Sequence, residues 1–248
     1  MNEEGIKEFF EGAKMLQKEN QLDKRELDNF FSQLRFRLDI FQTTKKQTDV
    51  YLASDFNIFD YIDPDENQIS DIIRDLLDPR GKHGQDDIFL NEFLKLIEIT
   101  ENYNAQKVNL SREDPTSYIM KSQRRMDIAI DFDKEFGIVI ENKPWTGEQK
   151  DQIKDYRENT DRKYKGKYFL IYLSRDGSHP ISIEPDIRKT LESEGKLKTI
   201  SYPIEFKNWL ESCYKECKAE KVRWFLRDFI KYVERKFKIQ ECIIKGGK

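Results

Sequence analysis

Three residues suited to chemistry, Asp127, Glu141 and Lys143, fall within one segment, RRMDIAIDFDKEFGIVIENKPW, residues 124 to 145. Two apolar runs joined by the charged turn DKE read as a hairpin of strands over 125–132 and 137–142. Strand side chains alternate, so Glu141 and Lys143 project to one side and Asn142 to the other. Pairing of the hairpin brings Asp127 near Glu141, with Arg125 on the face of Asp127. Two carboxylates brought together repel, and one takes up a proton unless a cation lies between them. Lys143 supplies part of that cation, and a hard divalent ion with oxygen ligands could supply the rest. Mg2+ suits best, because it accepts one or two protein carboxylates and fills its other octahedral positions with water and phosphate oxygens. The implied chemistry is attack on a phosphodiester, with Lys143 orienting the attacking water or helping to deprotonate it. On the pattern alone, a surface ion pair at a strand end accounts for the same residues equally well.

The elements that must position these residues are legible from periodicity. The first forty residues repeat apolar positions at helical spacing, and QTTKKQTDVYLASDF breaks that pattern and reads as an irregular connection. In DPDENQISDIIRDLLDPRG, Asp63 or Asp65 is suited to cap a helix, Pro64 suits its first turn, and Ile69, Ile72, Ile73, Leu76 and Leu77 form its apolar stripe. Pro79 and Gly81 stop that helix, and DIFLNEFLKLIEI forms the next. Residues 101 to 117 read as a crossing to the sheet. After the hairpin, a helix begins near Gly147, KYFLIYLS is a strand buried on both faces, LKTISYP is a short strand, and two amphipathic helices close the chain. The expected architecture is one α/β domain with a helical N-terminal extension over residues 1–55, packed against the remainder, 56–248.

A chain of 248 residues, 37% apolar and 37% charged, with 17 Phe, 11 Tyr and 3 Trp, implies a folded globule with a heavily solvated surface. The net charge of -3 does not mark a nucleic-acid binder, so any basic cleft has to be local. No apolar run is long enough to span a membrane, and the acidic, amphipathic start MNEEGIKEFFEGAKM does not resemble a signal peptide; a cytoplasmic protein without a membrane partner is expected. Cys213, Cys217 and Cys242 lack a second CxxC or a nearby His, so reduced structural thiols are expected. His83 and His179 stand in loops and read as structural or solvated. Trp145, beside the lysine, is suited either to packing under the next loop or to stacking on an unpaired base.

A strand Asp, then a hydrophobic strand ending in Glu-Asn-Lys, then a helix bearing Gln resembles the PD-(D/E)XK nuclease superfamily. The segments DENQISDIIRDLLDP, RRMDIAI, IVIENK, DQIKDY and YFLIYLSRDG stand in the order of a bacterial and phage branch of that superfamily, from about Phe56 to Gly177. The resemblance implies a restriction-endonuclease-like α/β fold, with a central mixed β-sheet flanked by helices. It implies that Asp127, Glu141 and Glu66 hold a metal, that Lys143 is the catalytic lysine, and that Gln152 lies near it. Gln152 and Tyr156 are one helical turn apart and share a face; Tyr156 and Arg125 are the expected substrate contacts. The implied activity is Mg2+-dependent hydrolysis of DNA, with Mn2+ able to substitute, in defence against foreign DNA or in repair and recombination. A homodimer would suit double-strand cutting. The alternative is a non-cleaving nucleic-acid-binding or regulatory subunit that keeps the fold. Met126 departs from the superfamily's pattern, which places Pro before the first Asp.

Overall fold

The computed structural model describes residues 24–116, 124–145 and 147–238, together with 7, 10–12 and 14. The chain forms two compact units, Met1–Phe56 and Asn57–Lys248. The first contains helix α1, Lys24–Leu52, which buries none of its residues. It continues through QTTKKQTDV, where the loss of apolar spacing pointed to an irregular connection. Gln and Lys are good helix formers, and an exposed helix needs no apolar stripe, so periodicity was the wrong signal there.

In the second unit a single helical turn, Phe59–Ile62, leads into α2, Glu66–Leu77, and α3, Ile88–Leu96. Asp65 caps α2 through a reciprocal box: its carboxylate accepts from the Gln68 N–H at 2.8 Å, and the Gln68 side chain accepts from the Asp65 N–H at 2.9 Å. Pro64 therefore precedes the cap instead of occupying the first turn. His83 is structural, its Nδ1 accepting from the Gln85 N–H at 3.0 Å.

Five strands follow: β1 Val108–Pro115, β2 Arg125–Phe132, β3 Phe136–Lys143, β4 Tyr168–Ser174 and β5 Leu197–Ser201. They lie in sequential order in one mixed sheet, antiparallel from β1 to β3 and parallel from β3 to β5. β1 occupies what the sequence suggested was only a crossing segment. It is an edge strand whose residues are mostly half-buried or exposed, so VNLSREDP carries charge that conceals its conformation. The DKE turn closes the hairpin because Asp133 and Lys134 adopt positive φ, 54° and 63°, matching the strand twist.

Parallel pairing requires crossovers, supplied by α4, Gln152–Tyr164, and α5, Pro185–Ser193. Helix α4 starts later than the sequence suggested because Asp151 takes the left-handed conformation, φ 58°. Helices α6, Lys207–Glu216, and α7, Glu220–Lys236, close the described chain. One apolar layer joins Ile128, Ile130, Ile138 and Ile140 to α2, α3, α6 and α7; the other joins Ala129, Val139 and Leu170 to α4 and α5. Cys213 and Cys217 are buried free thiols in the first layer, and Cys242 lies outside the described residues.

Gly137 sits where any Cβ would overlap the Tyr164 ring, whose hydroxyl donates to Asp131 at 2.8 Å. Gly137→Ala is expected to cost about 1–3 kcal/mol through overpacking. The check is the midpoint of denaturant unfolding, which should fall; an unchanged midpoint would show that the ring yields freely.

Candidate active site

The site forms where β2 and β3 separate. Their ladder pairs Ile128 with Ile140 as its last step at this end. One residue beyond, the Asp127 carboxylate, in place of a backbone carbonyl, accepts the Asn142 N–H at 2.8 Å. This side chain substitution for a ladder bond turns Asp127 toward the end of β3. Arg112 on β1 holds the other side of the same residue, bonding the Asp127 carbonyl and pairing with Asp71 of α2 at 2.7 Å.

Alternation along β3 sends Asn142 to the layer containing α2. Its amide donates to Ser70 Oγ at 2.8 Å, Ser70 donates to the Glu66 carbonyl at 2.8 Å, and Tyr202 donates to the Asn142 oxygen at 2.5 Å. Asn142 thus ties the first turn of α2 to the strand and brings Glu66 to the site. Alternation alone shows only that Asn142 points away from Glu141 and Lys143; the signal for its role is a polar residue inside an apolar strand, since a buried amide needs partners.

Lys143 Nζ stands among three carboxylates, 2.7 Å from Glu141 Oε1, 3.0 Å from Glu66 Oε1 and 3.7 Å from Asp127 Oδ2. Side-chain exposure rises from 1% at Glu141 through 9% at Lys143 to 19% at Asp127 and 23% at Glu66. Glu141 is therefore the floor of the site, and Asp127 and Glu66 form its mouth. Behind the floor, Gln152 donates to Glu141 Oε1 at 2.5 Å and to the Tyr156 hydroxyl at 3.0 Å, while its own oxygen accepts the Gln149 N–H at 3.1 Å. The Tyr156 hydroxyl spends its one proton on the Arg125 carbonyl at 2.6 Å. Among the described residues Glu141 Oε2 is buried and meets no hydrogen-bond donor in good geometry, with the Tyr156 hydroxyl the neighbour that acts on the carboxylate.

Three carboxylates around one ammonium leave surplus negative charge. Burial, reinforced by Asp127, pushes the Glu141 carboxyl up to about 8, against the pull of Lys143. Burial also raises Asp127, against the pull of Lys143 and the Asn142 N–H. For Lys143 burial alone would favour the neutral amine, but Glu141 and Asp127 outweigh it and hold the group charged, well above its ordinary value. In this state Lys143 is a hydrogen-bond donor and point charge, not a proton acceptor.

Of the residues singled out in the sequence, Asp127, Glu141, Lys143, Glu66 and Gln152 come together. Arg125 does not join them: its guanidinium turns to Glu113 at 2.7 Å on the exposed sheet edge, and only its carbonyl reaches Tyr156. Tyr156 is 1% exposed and cannot touch a substrate, so it acts as a support behind Glu141. Removal of its hydroxyl leaves the Arg125 carbonyl unpaired, and Tyr156→Phe is expected to cost about 1–2 kcal/mol of stability. Substrate KM should stay at the wild-type value; a raised KM with unchanged stability would restore Tyr156 as a substrate contact.

Among the described residues no three His, Cys, Asp or Glu side chains already converge on a metal position. The Lys143 ammonium takes the centre, and the carboxylates face it instead of one another. The donor set nonetheless fits a hard divalent cation: all-oxygen ligands, excess negative charge, and a buried carboxylate oxygen that meets no hydrogen-bond donor in good geometry.

A mixed sheet flanked by helices, with an Asp and a Glu-x-Lys converging at its split edge, defines a restriction-endonuclease-like α/β fold. The chain belongs to the PD-(D/E)XK nuclease superfamily, whose family model matches residues 56–243. No curated protein and no solved structure matches the chain. Among the described residues no helix is long and apolar enough to cross a membrane.

Proposed function

We propose that the protein is a metal-dependent deoxyribonuclease in which Asp127, Glu141 and Glu66 hold Mg2+, or Mn2+ in its place, and Lys143 serves the phosphate undergoing hydrolysis. The observation that carries this reading is the cluster of three carboxylates around the Lys143 ammonium, with Glu141 buried at its floor. A divalent ion bound there supplies Lewis-acid polarisation of the phosphodiester and lowers the pKa of a water. The chain's own groups do the remainder. Lys143, held charged, donates to the attacking water or to a phosphate oxygen as negative charge develops. Gln152 fixes the rotamer of Glu141, and Asn142 fixes Glu66 against β3. Asp127 and Glu66, at the mouth, are the carboxylates closest to solvent and to an incoming strand.

DNA as partner, a cytoplasmic location, a homodimer for double-strand cutting, and a role in defence or in repair and recombination extend the same reading by analogy of fold. The test is incubation of linear, circular and single-stranded DNA with Mg2+, Mn2+ or EDTA. Metal-dependent cleavage of at least one substrate is expected. No cleavage of any of them with either metal would favour the alternative, a nucleic-acid-binding or regulatory subunit that keeps the fold.

A further inference from the structure

β3 and β4 run parallel, and Lys143 pairs with Ser174 at their ends. The residues that follow, Trp145 and Arg175, therefore leave the sheet next to each other at the edge where Lys143 stands. The Trp145 ring stacks on Phe237 with centroids 4.8 Å apart and an interplanar angle of 20°. Phe237 in turn stacks on Tyr202 at 4.1 Å, and Tyr202 is hydrogen-bonded to Asn142. The indole is thus fastened to the Glu-x-Lys strand through a buried aromatic column, yet it remains 41% exposed.

The exposed Arg175 guanidinium lies over this ring, 5.5 Å from its centroid. Among the described residues it donates no hydrogen bond and enters no salt bridge. Its neighbour Asp176 feels the Arg175 charge but directs its hydrogen bonds to Ser178, accepting the Ser178 N–H at 2.9 Å and the Ser178 hydroxyl. Ser174 Oγ accepts the Gly177 N–H at 3.0 Å, so the loop carrying Arg175 is tied by its own bonds.

A polyanion approaching an acidic cluster is repelled unless cations flank its path, and Arg175 is an exposed cation at that edge which, among the described residues, forms no salt bridge. The aromatic brace limits the conformational freedom its side chain would lose on binding, and the planar fork suits two phosphate oxygens. We infer that Arg175, braced on Trp145, binds a backbone phosphate of the nucleic-acid strand that enters beside Lys143. This inference rests on the nuclease reading for its ligand, and the exposed part of the Trp145 ring offers the same strand a surface for a base or sugar.

The test is binding of labelled single-stranded and duplex DNA, read by fluorescence anisotropy in EDTA so that it needs no turnover, across a salt series. Arg175→Ala is expected to weaken binding about tenfold and to reduce the log–log salt slope by about one, the signature of one lost phosphate contact. Arg175→Lys should keep the slope and recover part of the affinity, and Trp145→Ala should weaken binding less than Arg175→Ala does. Wild-type affinity and slope in Arg175→Ala would overturn the inference, as would weaker binding with an unchanged slope and a lowered melting temperature. If the wild type binds DNA through Arg175 but never cleaves it with Mg2+ or Mn2+, the nuclease reading fails while the contact stands. If the wild type binds no DNA, the contact fails.

Discussion

Lys143→Ala is expected to lower the rate of DNA cleavage at saturating metal and substrate by about 10²–10³-fold, the usual scale for losing one preorganised charge at a developing anion. The effect should fall on kcat more than on KM, because Lys143 is 9% exposed and is engaged by three carboxylates before any strand arrives. The same substitution has a second consequence. It removes the ammonium that Glu141, Asp127 and Glu66 share, and removing one partner of a buried pair typically costs about 3–5 kcal/mol. Protonation of Glu141 absorbs part of that cost at low pH, and added Mn2+ should restore stability by binding the folded state. Single-turnover cleavage and thermal melting with and without Mn2+ check both. Cleavage at the wild-type rate would remove Lys143 from the reaction.

Glu141→Gln should separate activity from stability in opposite directions. The carboxyl titrates near 8 in the folded protein against an ordinary 4.5, because burial and Asp127 disfavour its charged form. Between those values the folded state holds a proton that the unfolded state has released, so the unfolded state binds fewer protons and stability falls as pH rises through the window. The cost is absent near pH 4 and complete above about 8. Gln cannot ionise and keeps an oxygen for the Gln152 amide, so Glu141→Gln is expected to stabilise the metal-free protein at high pH by on the order of 2–4 kcal/mol. That figure is discounted for Lys143, which loses a charged neighbour. The gain should vanish near pH 4, and metal-dependent cleavage should be lost at every pH. Denaturant melts of both proteins across that range provide the check; a variant less stable at high pH would show that the Glu141 charge favours folding.

Much of this site is legible in the sequence because strand alternation is a strict rule. Glu141 and Lys143 share a face wherever β3 is placed in the sheet, and the hairpin fixes Asp127 next to them. Glu66 and Gln152 are distant in sequence and were reached only through family resemblance. What remained hidden depends on tertiary partners. Asn142 and Tyr202 meet across sixty residues, and no local pattern announces that pairing. Arg125 and Tyr156 alternate or space correctly for the site, yet a cross-strand acid draws away the first and burial closes off the second. The same limit governs the fold. Apolar periodicity finds β3 and β4 because both faces are buried, and it misses β1 and the end of α1 because solvent faces much of them.

The central claim is that Asp127, Glu141 and Glu66 hold a divalent metal beside Lys143, and calorimetric titration with Mn2+ at two pH values tests it most directly. A site is predicted in the wild type that binds more weakly as pH falls from about 8 to 6 and releases protons as it fills, since the metal displaces the proton on Glu141. Asp127→Ala should weaken that site at least about tenfold. Absence of Mn2+ binding at either pH, or binding that Asp127→Ala leaves intact, would contradict the assignment.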